Sequence, residues 1–423
     1  MTFYDYLVEH NRYLNLVGIA VILGIAWLFS HDRKKISGRL IINGLLMQFV
    51  IAFVVLKTSL GHSVVLAVSE GVHKLYSFAT AGTQFVFGNL TDASQAWGFV
   101  FAVNVLPLVI FFGAFMAILF HLNIIQWFVV VLSAVVRPVL GTSGAETLCA
   151  IANSFLGQTE APLVIRNYLP SMTKSEILLV MLGGMAHVSG SILVVYAAMG
   201  VPVPHLLAAS VMAIPGSIVI AKMLYPETEK PKTASGAHID FEKNSSNLLG
   251  AIAHGTSDGL QLALNIGAML IAFLALIAMV NAILGQTTFW INDGLSLIGS
   301  SVTVPQLSLN LFFSYIFAPF GYLLGFSGAE ALKVGNLLGI KLTMNELVAY
   351  GEMFKANLSP RAVAIMTYAL CGFANFSSIG IQIGGIGALV PSRREWISQL
   401  GLIALLGGSL SNLLSATIAA LLL

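Results

Sequence analysis

Long apolar runs recur along this chain, near positions 14–30, 39–57, 97–121, 176–200, 203–224, 258–285, 362–390 and 398–422. Each approaches the roughly 20 residues that an α-helix needs to cross a bilayer. The rest of the composition agrees, with 57% of 423 residues hydrophobic and 9% charged, against about 25% charged in a soluble domain. Eight crossings of an all-α polytopic membrane protein are therefore expected. The net charge of +2 creates no strong field, so nothing points to nucleic acid. Cys149 and Cys371 lie in apolar surroundings and read as buried thiols rather than a disulfide.

Orientation follows from the basic residues. The first run is followed by His31-Asp-Arg-Lys-Lys35 and has no small-residue cleavage site, the reverse of a signal peptide's charge order. It reads as a retained span with its N-terminus outside. Eight crossings then put thirteen Lys and Arg on the inner side and seven, including Lys57, Lys74 and Lys341, on the outer side. That asymmetry is the one cytoplasmic loops favour, and both termini are expected on the outer, periplasmic side of an inner membrane. The polar stretch 225–247 reads as a cytoplasmic loop.

Two further segments, 122–170 and 304–352, are apolar but contain Gly, Pro, Asn and Glu. They are related to each other. Ser143-Gly-Ala-Glu146 recurs as Ser327-Gly-Ala-Glu330, with a proline before each (Pro138, Pro319) and an Asn and a Gly after (Asn153 and Gly157; Asn336 and Gly339). A carboxylate follows in each, Glu160 or Glu346, and then Gly184-Met-Ala-His-Val-Ser189 or Gly372-Phe-Ala-Asn-Phe-Ser377. Three crossings separate the copies, an odd number that inverts the second, and inverted repeats are an architecture of secondary transporters. Segments 142–168 and 326–352 are too short for two crossings, so each is expected to be a re-entrant helical hairpin with its tip buried in protein. The Gly-rich motifs in mid-span read as broken helices that expose carbonyls and helix N-termini.

A mid-membrane carboxylate costs about 2.5–3.5 kcal/mol on insertion scales, so Glu160 and Glu346 need a ligand, a cation, a proton or a pairing within the fold. On a half-helix Asn153, Gly157 and Glu160 would share one face. Glu146 and Glu330 fit a first-turn role. Gln158 and Thr159 suit a heterocyclic base edge or an interhelical bond. Asn375 and Ser378 suit sugar hydroxyls, Phe373 a planar base, and the alternative for all three is packing. His187 stands where the second copy has Asn375, and is either functional or a bridge across the break. His121, His205 and His254 are expected at the membrane interface, and Gly380 and Gly384 in close packing within the broken bundle. No Walker loop, zinc signature or nucleophile elbow occurs, which argues against an ATP-driven pump and against an enzyme.

Gly157-Gln-Thr-Glu-Ala-Pro162, Asn345-Glu-Leu-Val-Ala-Tyr350 and Tyr368-Ala-Leu-Cys-Gly-Phe-Ala-Asn375 together resemble the concentrative nucleoside transporters, in their eight-span bacterial form, over about 97–423. The resemblance implies a homotrimer in the lipid bilayer that imports nucleosides such as uridine with a coupling ion and uses no cofactor. It implies scaffold spans in 1–121 and a first transport repeat in 122–224. A cytoplasmic loop with scaffold span 6 would fill 225–303, and a second transport repeat 304–423. Apolar helices at 123–140 and 306–324 would lead into the hairpins. Gln158, Thr159 and Glu160 would face the base, with Ile192 and Phe373 packing on it, while Glu346, Asn375 and Ser378 would hold ribose. A sodium ion would use Asn153, Leu156, His187 and Val188, partly through backbone oxygens. His187 departs from the Ser or Thr of sodium-coupled members, which keeps proton coupling through His187 or a buried Glu as an alternative. A nucleoside channel or facilitator is the more remote one.

Overall fold

The computed structural model describes residues 3–92, 94–237, 245–299 and 301–423. Lys243 and the rest of 238–244, within the expected cytoplasmic loop, lie outside the described residues. Among the described residues the chain is helical throughout, with no strand.

The first two runs form α1 (Arg12–Leu28) and α2 (Gly38–Lys57). A helix absent from the sequence reading follows, α3 (Ser59–Phe87). It carries His62, Glu70, His73 and Lys74 among its apolar residues, so a search for unbroken apolar runs passes over it, whereas a search at helical period finds its amphipathic pattern. Next come α4 (Leu106–His121) and α5 (Ile124–Leu140). Residues 144–171 make the first hairpin, which begins as α6 (Gly144–Ala152) and returns through 3₁₀ turns at Ala161–Ile165 and Leu169–Ser171. The expected helical face of Asn153, Gly157 and Glu160 does not form, because α6 ends at Ala152. Pro162, with no N–H to donate, opens the first 3₁₀ turn, and the backbone there follows a tighter path.

The run at 176–200 is a broken helix, α7 (Lys174–Ala186) and α8 (Gly190–Ala198). It is followed by α9 (Val203–Leu224) and by α10 (Leu248–Leu297), a 50-residue helix that runs well beyond the expected 258–285. The second half repeats the order of elements. After α11 (Leu309–Leu323) the hairpin consists of α12 (Gly328–Thr343) and α13 (Glu346–Lys355), then a broken helix of α14 (Pro360–Leu370) and α15 (Phe376–Leu389), and finally α16 (Arg394–Leu422). In both halves a helix with an internal proline, Pro138 or Pro319, ends at a positive-φ glycine, Gly141 or Gly325. Only glycine enters that region without strain, and at Gly325 it accompanies a bend of 112° between α11 and α12.

Among the described residues seven helical segments are long and apolar enough to cross a membrane: Tyr4–Leu28, Gly38–Lys57, Phe101–His121, Lys174–Ala198, Val203–Leu224, Leu248–Leu297 and Pro391–Leu422. The remaining expected run, 362–390, is the α14 and α15 pair, each half too short alone, and the bent pair that is long and apolar enough as one span is α11 with α12. Burial divides these elements. The most apolar windows of α7–α8 and α9 are 89% buried within the chain, while that of α10 is 0% buried. The buried group surrounds α16, which packs on α7, α9, α14 and α15 as well as α1. Outside it, α10 lies along α4, drawn close by glycines: a Cβ on Gly255 would come within 2.5 Å of Gly113 O, and one on Gly259 within 2.8 Å of Val109 O.

Three basic residues counted above as surface charges are buried. Lys341 is 4% exposed inside the bundle and Arg12 4% at its edge, so neither reports on a loop. Lys222 is 6% exposed and pairs with Glu146 at 2.6 Å, tying the root of the first hairpin to α9. Glu146 also accepts from Ser143 N at 2.8 Å, the expected first-turn role. Glu330 likewise stands in the first turn of α12, and it also accepts from Ser359 N at 3.1 Å, ahead of α14. Gly380 and Gly384 do not pack within the bundle as expected, since a Cβ on either would meet nothing within 4 Å. Cys149 and Cys371 are buried free thiols.

Candidate functional site

The breaks in the two interrupted helices give the site its polar groups. In the first, His187 to Ser189 leave helical geometry and Ser189 caps α8 by accepting from Ile192 N at 3.4 Å. In the second, Cys371 to Asn375 are non-helical and Asn375 caps α15, its Oδ1 accepting from Ser378 N at 3.0 Å and from Ser377 Oγ at 2.6 Å. Both α8 and α15 thus present a capped N-terminus, the end of a helix that favours polar and anionic groups.

The tip of the first hairpin meets the second break there. Gln158 Nε2 donates to Ser378 Oγ at 3.2 Å, and Gln158 Oε1 accepts from Gln382 Nε2 at 3.1 Å. Asn375 Oδ1 is occupied by donors, so its Nδ2 is free to donate, and it does so to Glu346 Oε2 at 3.2 Å. Glu346 Oε1 accepts from the Tyr196 hydroxyl at 2.8 Å. The chain Gln382, Gln158, Ser378, Asn375, Glu346, Tyr196 therefore joins elements from both halves of the sequence into one buried polar network. Four of the expected residues, Gln158, Ser378, Asn375 and Glu346, are brought together directly. Thr159 packs beside them on Gly385, Ile192 lies in the first turn of α8, and Phe373 is half-buried with its N–H on His187 O at 3.2 Å.

Glu160 stands apart from this network. Its carboxylate turns back to accept from Gly157 N at 3.1 Å, and its residue is exposed into a cavity of about 390 Å³ between α4, α10 and the first hairpin. Across that cavity are His121, and the His254–Asp258 pair at 2.8 Å on α10. His121 and His254 thus share a cavity wall, and the third histidine expected at an interface, His205, is half-buried against Tyr368 OH at 3.2 Å.

The residues expected around a cation also converge. Asn153 Nδ2 donates to Cys149 O at 3.0 Å and lies 3.1 Å from where a Cβ on Gly183 would be, while His187 Nδ1 contacts Gly183 O at 2.8 Å. A carbonyl only accepts, so His187 Nδ1 carries the proton and a neutral imidazole presents a lone pair at Nε2. Among the described residues Asn153 Oδ1 and His187 Nε2, both buried, find no hydrogen-bond partner. Leu156 and Val188 are buried beside them, and the turn after α6 is held to the break by Gly190 N on Phe155 O at 3.0 Å. An amide oxygen suits a hard cation and the imidazole lone pair suits a proton. Among the described residues there is no cluster of three His, Cys, Asp or Glu side chains fit for a metal.

Two members of the network escaped the sequence reading, Tyr196 and Gln382. Each is a polar group within an apolar helix, and that was the available signal.

The whole chain matches known proteins. Residues 17–90 fit the Na+ dependent nucleoside transporter N-terminus, 102–203 the Nucleoside recognition family and 205–420 the Na+ dependent nucleoside transporter C-terminus. The chain is 40% identical to nucleoside permease NupC of Helicobacter pylori, over 96% of this chain and 97% of that protein. It is 38% identical to sodium/nucleoside cotransporter 1 of Rattus norvegicus, over 97% of this chain and 64% of that protein. Among solved structures, CNTnw in an inward-facing substrate-bound state aligns with a TM-score of 0.88 at 39% identity, over 97% of each chain. These relatives are transporters, not enzymes. With its helices, hairpins and paired breaks in the same arrangement, this chain belongs to the concentrative nucleoside transporter family.

Proposed function

We propose that this protein is a nucleoside symporter of the inner membrane, driven by sodium. The carrying observation is the network from Gln158 through Ser378 and Asn375 to Glu346, assembled from both halves of the chain beside the unpartnered Asn153 Oδ1. Gln158, Thr159 and Glu160 read the base edge, with Ile192 and Phe373 on its faces. Glu346, Asn375 and Ser378 take the ribose hydroxyls. Asn153 Oδ1, His187 and backbone oxygens of Leu156 and Val188 hold the cation. The names of the relatives, a nucleoside permease and a sodium/nucleoside cotransporter, support the substrate and the ion.

In this reading the repeats 122–224 and 304–423 are inverted relative to each other and form a moving unit. Residues 1–121 and 225–303 form the frame, consistent with the contrast in burial. Nucleoside and cation enter from outside, the hairpins occlude them, and the unit moves across the frame to release both inside, with both termini remaining outside. Three copies assemble, so native mass spectrometry should give about three times 45.0 kDa. One charge falling through 100 mV yields about 2.3 kcal/mol, or roughly 50-fold accumulation.

The test is uridine uptake into proteoliposomes with sodium and pH gradients imposed separately. Sodium-driven accumulation with counterflow is expected. No response to either gradient would remove symport, and absence of counterflow would indicate a channel. The buried Nε2 lone pair of His187 favours one second reading, proton coupling, which a response to pH alone would select.

A further inference from the structure

A broken helix leaves carbonyls without their i+4 partners, and a buried carbonyl must find another donor. Here three N–H groups that would have closed the helices are used elsewhere. Gly190 N bonds Phe155 O, Phe373 N bonds His187 O, and Asn375 N bonds Phe373 O. Their usual acceptors, Ala186 O, Ala369 O and Cys371 O, are satisfied by two side chains. Asn412 Nδ2, from α16, donates to Ala186 O at 2.7 Å and to Cys371 O at 3.0 Å. Lys341 Nζ, from α12, donates to Ala369 O at 2.7 Å and to Asn412 Oδ1 at 2.7 Å, which fixes which way the amide faces.

One amide group thus bridges the two breaks. Ala186 adjoins His187 in the first, and Cys371 is two residues before Phe373 in the second. The space is made for it, since a Cβ on Gly372 would run into Asn412 Oδ1, and a Cβ on Gly408 would sit 2.8 Å from Met185 Cβ and 3.3 Å from Ala374 Cβ. The ammonium that seats it is expensive, because Lys341 is 4% exposed and has no carboxylate within ion-pair distance among the described residues. Simple packing would be served by an apolar residue.

We infer that Asn412, oriented by Lys341, is the positioning strut through which a cation at the first break sets nucleoside affinity at the second. The inference rests on the cation-coupled reading above. Movement of Ala186 O on cation binding moves the Asn412 amide, and with it Cys371 O and the segment leading to Phe373 and Asn375. Such coupling is reciprocal by linkage and typically amounts to about 5- to 150-fold.

The experiment measures uridine affinity of purified protein in sodium and in choline chloride, and sodium affinity with and without uridine. Wild type is expected to bind uridine at least about fivefold more tightly in sodium, with the same factor for sodium in uridine. Asn412→Asp keeps an acceptor for Lys341 but loses both donations to the breaks, and Lys341→Met leaves the amide without its anchor. Both are expected to retain the weak sodium-free uridine affinity while the coupling factor falls towards one. Asn412→Gln, which keeps the donors, should recover part of it. Folded variants with wild-type coupling would overturn the strut. If wild type itself shows no sodium dependence, the sodium reading fails instead, and the same cycle run between pH 5.5 and 8 tests the strut against a proton. Should one variant not fold, the other carries the same comparison.

Discussion

Glu346 shows how a single residue is committed by its surroundings. Its two oxygens accept from Tyr196 OH and Asn375 Nδ2, and Asn375 cannot turn over because its Oδ1 holds the N-terminus of α15. In Glu346→Gln the new amide must therefore face Tyr196, whose hydroxyl can rotate to accept, so the shape survives and the charge does not. Losing a charge-assisted bond is worth about 2 kcal/mol, and uridine kcat/KM should fall roughly 30-fold. Tyr196→Phe removes one neutral donor, worth about 1 kcal/mol, and should cost some fivefold. Equal effects of the two substitutions in an uptake assay would show that the carboxylate's charge has no role. Glu346 was legible in the sequence because a carboxylate in an apolar segment demands a reason. Tyr196 was not, since a tyrosine is ordinary in such a helix and its partner lies 150 positions away.

At the scale of elements, apolar runs located the crossings well and failed where a helix is amphipathic, as in α3, or where nothing stops it, as in α10. That long helix begins with an Asn247 cap, its Oδ1 accepting from Gly250 N at 2.7 Å, and it contains no proline. The pairing of α4 with α10 was also hidden, because a glycine reads as a weak helix former until its neighbour is known. A Cβ on Gly259 would sit only 2.8 Å from Val109 O and Ile110 Cα, so Gly259→Leu would pry the helices apart. Overpacking of this kind costs about 1–3 kcal/mol, and the melting temperature in detergent should fall. Gly294, which has nothing within 4 Å, is the control, and Gly294→Leu should leave the melting temperature unchanged. A tolerated Gly259→Leu would mean that α4 and α10 separate freely.

For the whole molecule, the conformational state is carried by the cavity beside Glu160. Its wall includes His121 at the end of α4 and Ser245 before α10, both on the side assigned to the cytoplasm by the charge asymmetry. With the proposed orientation the cavity opens inward, and Ser191, at the start of α8 on the cavity wall, should be reachable from inside. In a background with Cys149 and Cys371 replaced by Ala, Ser191→Cys is expected to react with a membrane-impermeant maleimide in inside-out vesicles and not in right-side-out ones. Outward sodium and uridine, which draw the moving unit towards its outward-facing form, should slow that reaction. Labelling from the outer side alone would reverse the orientation and place both termini in the cytoplasm. Equal labelling from both sides would mean that hairpin and frame leave a continuous path between them, which two occluding gates do not permit.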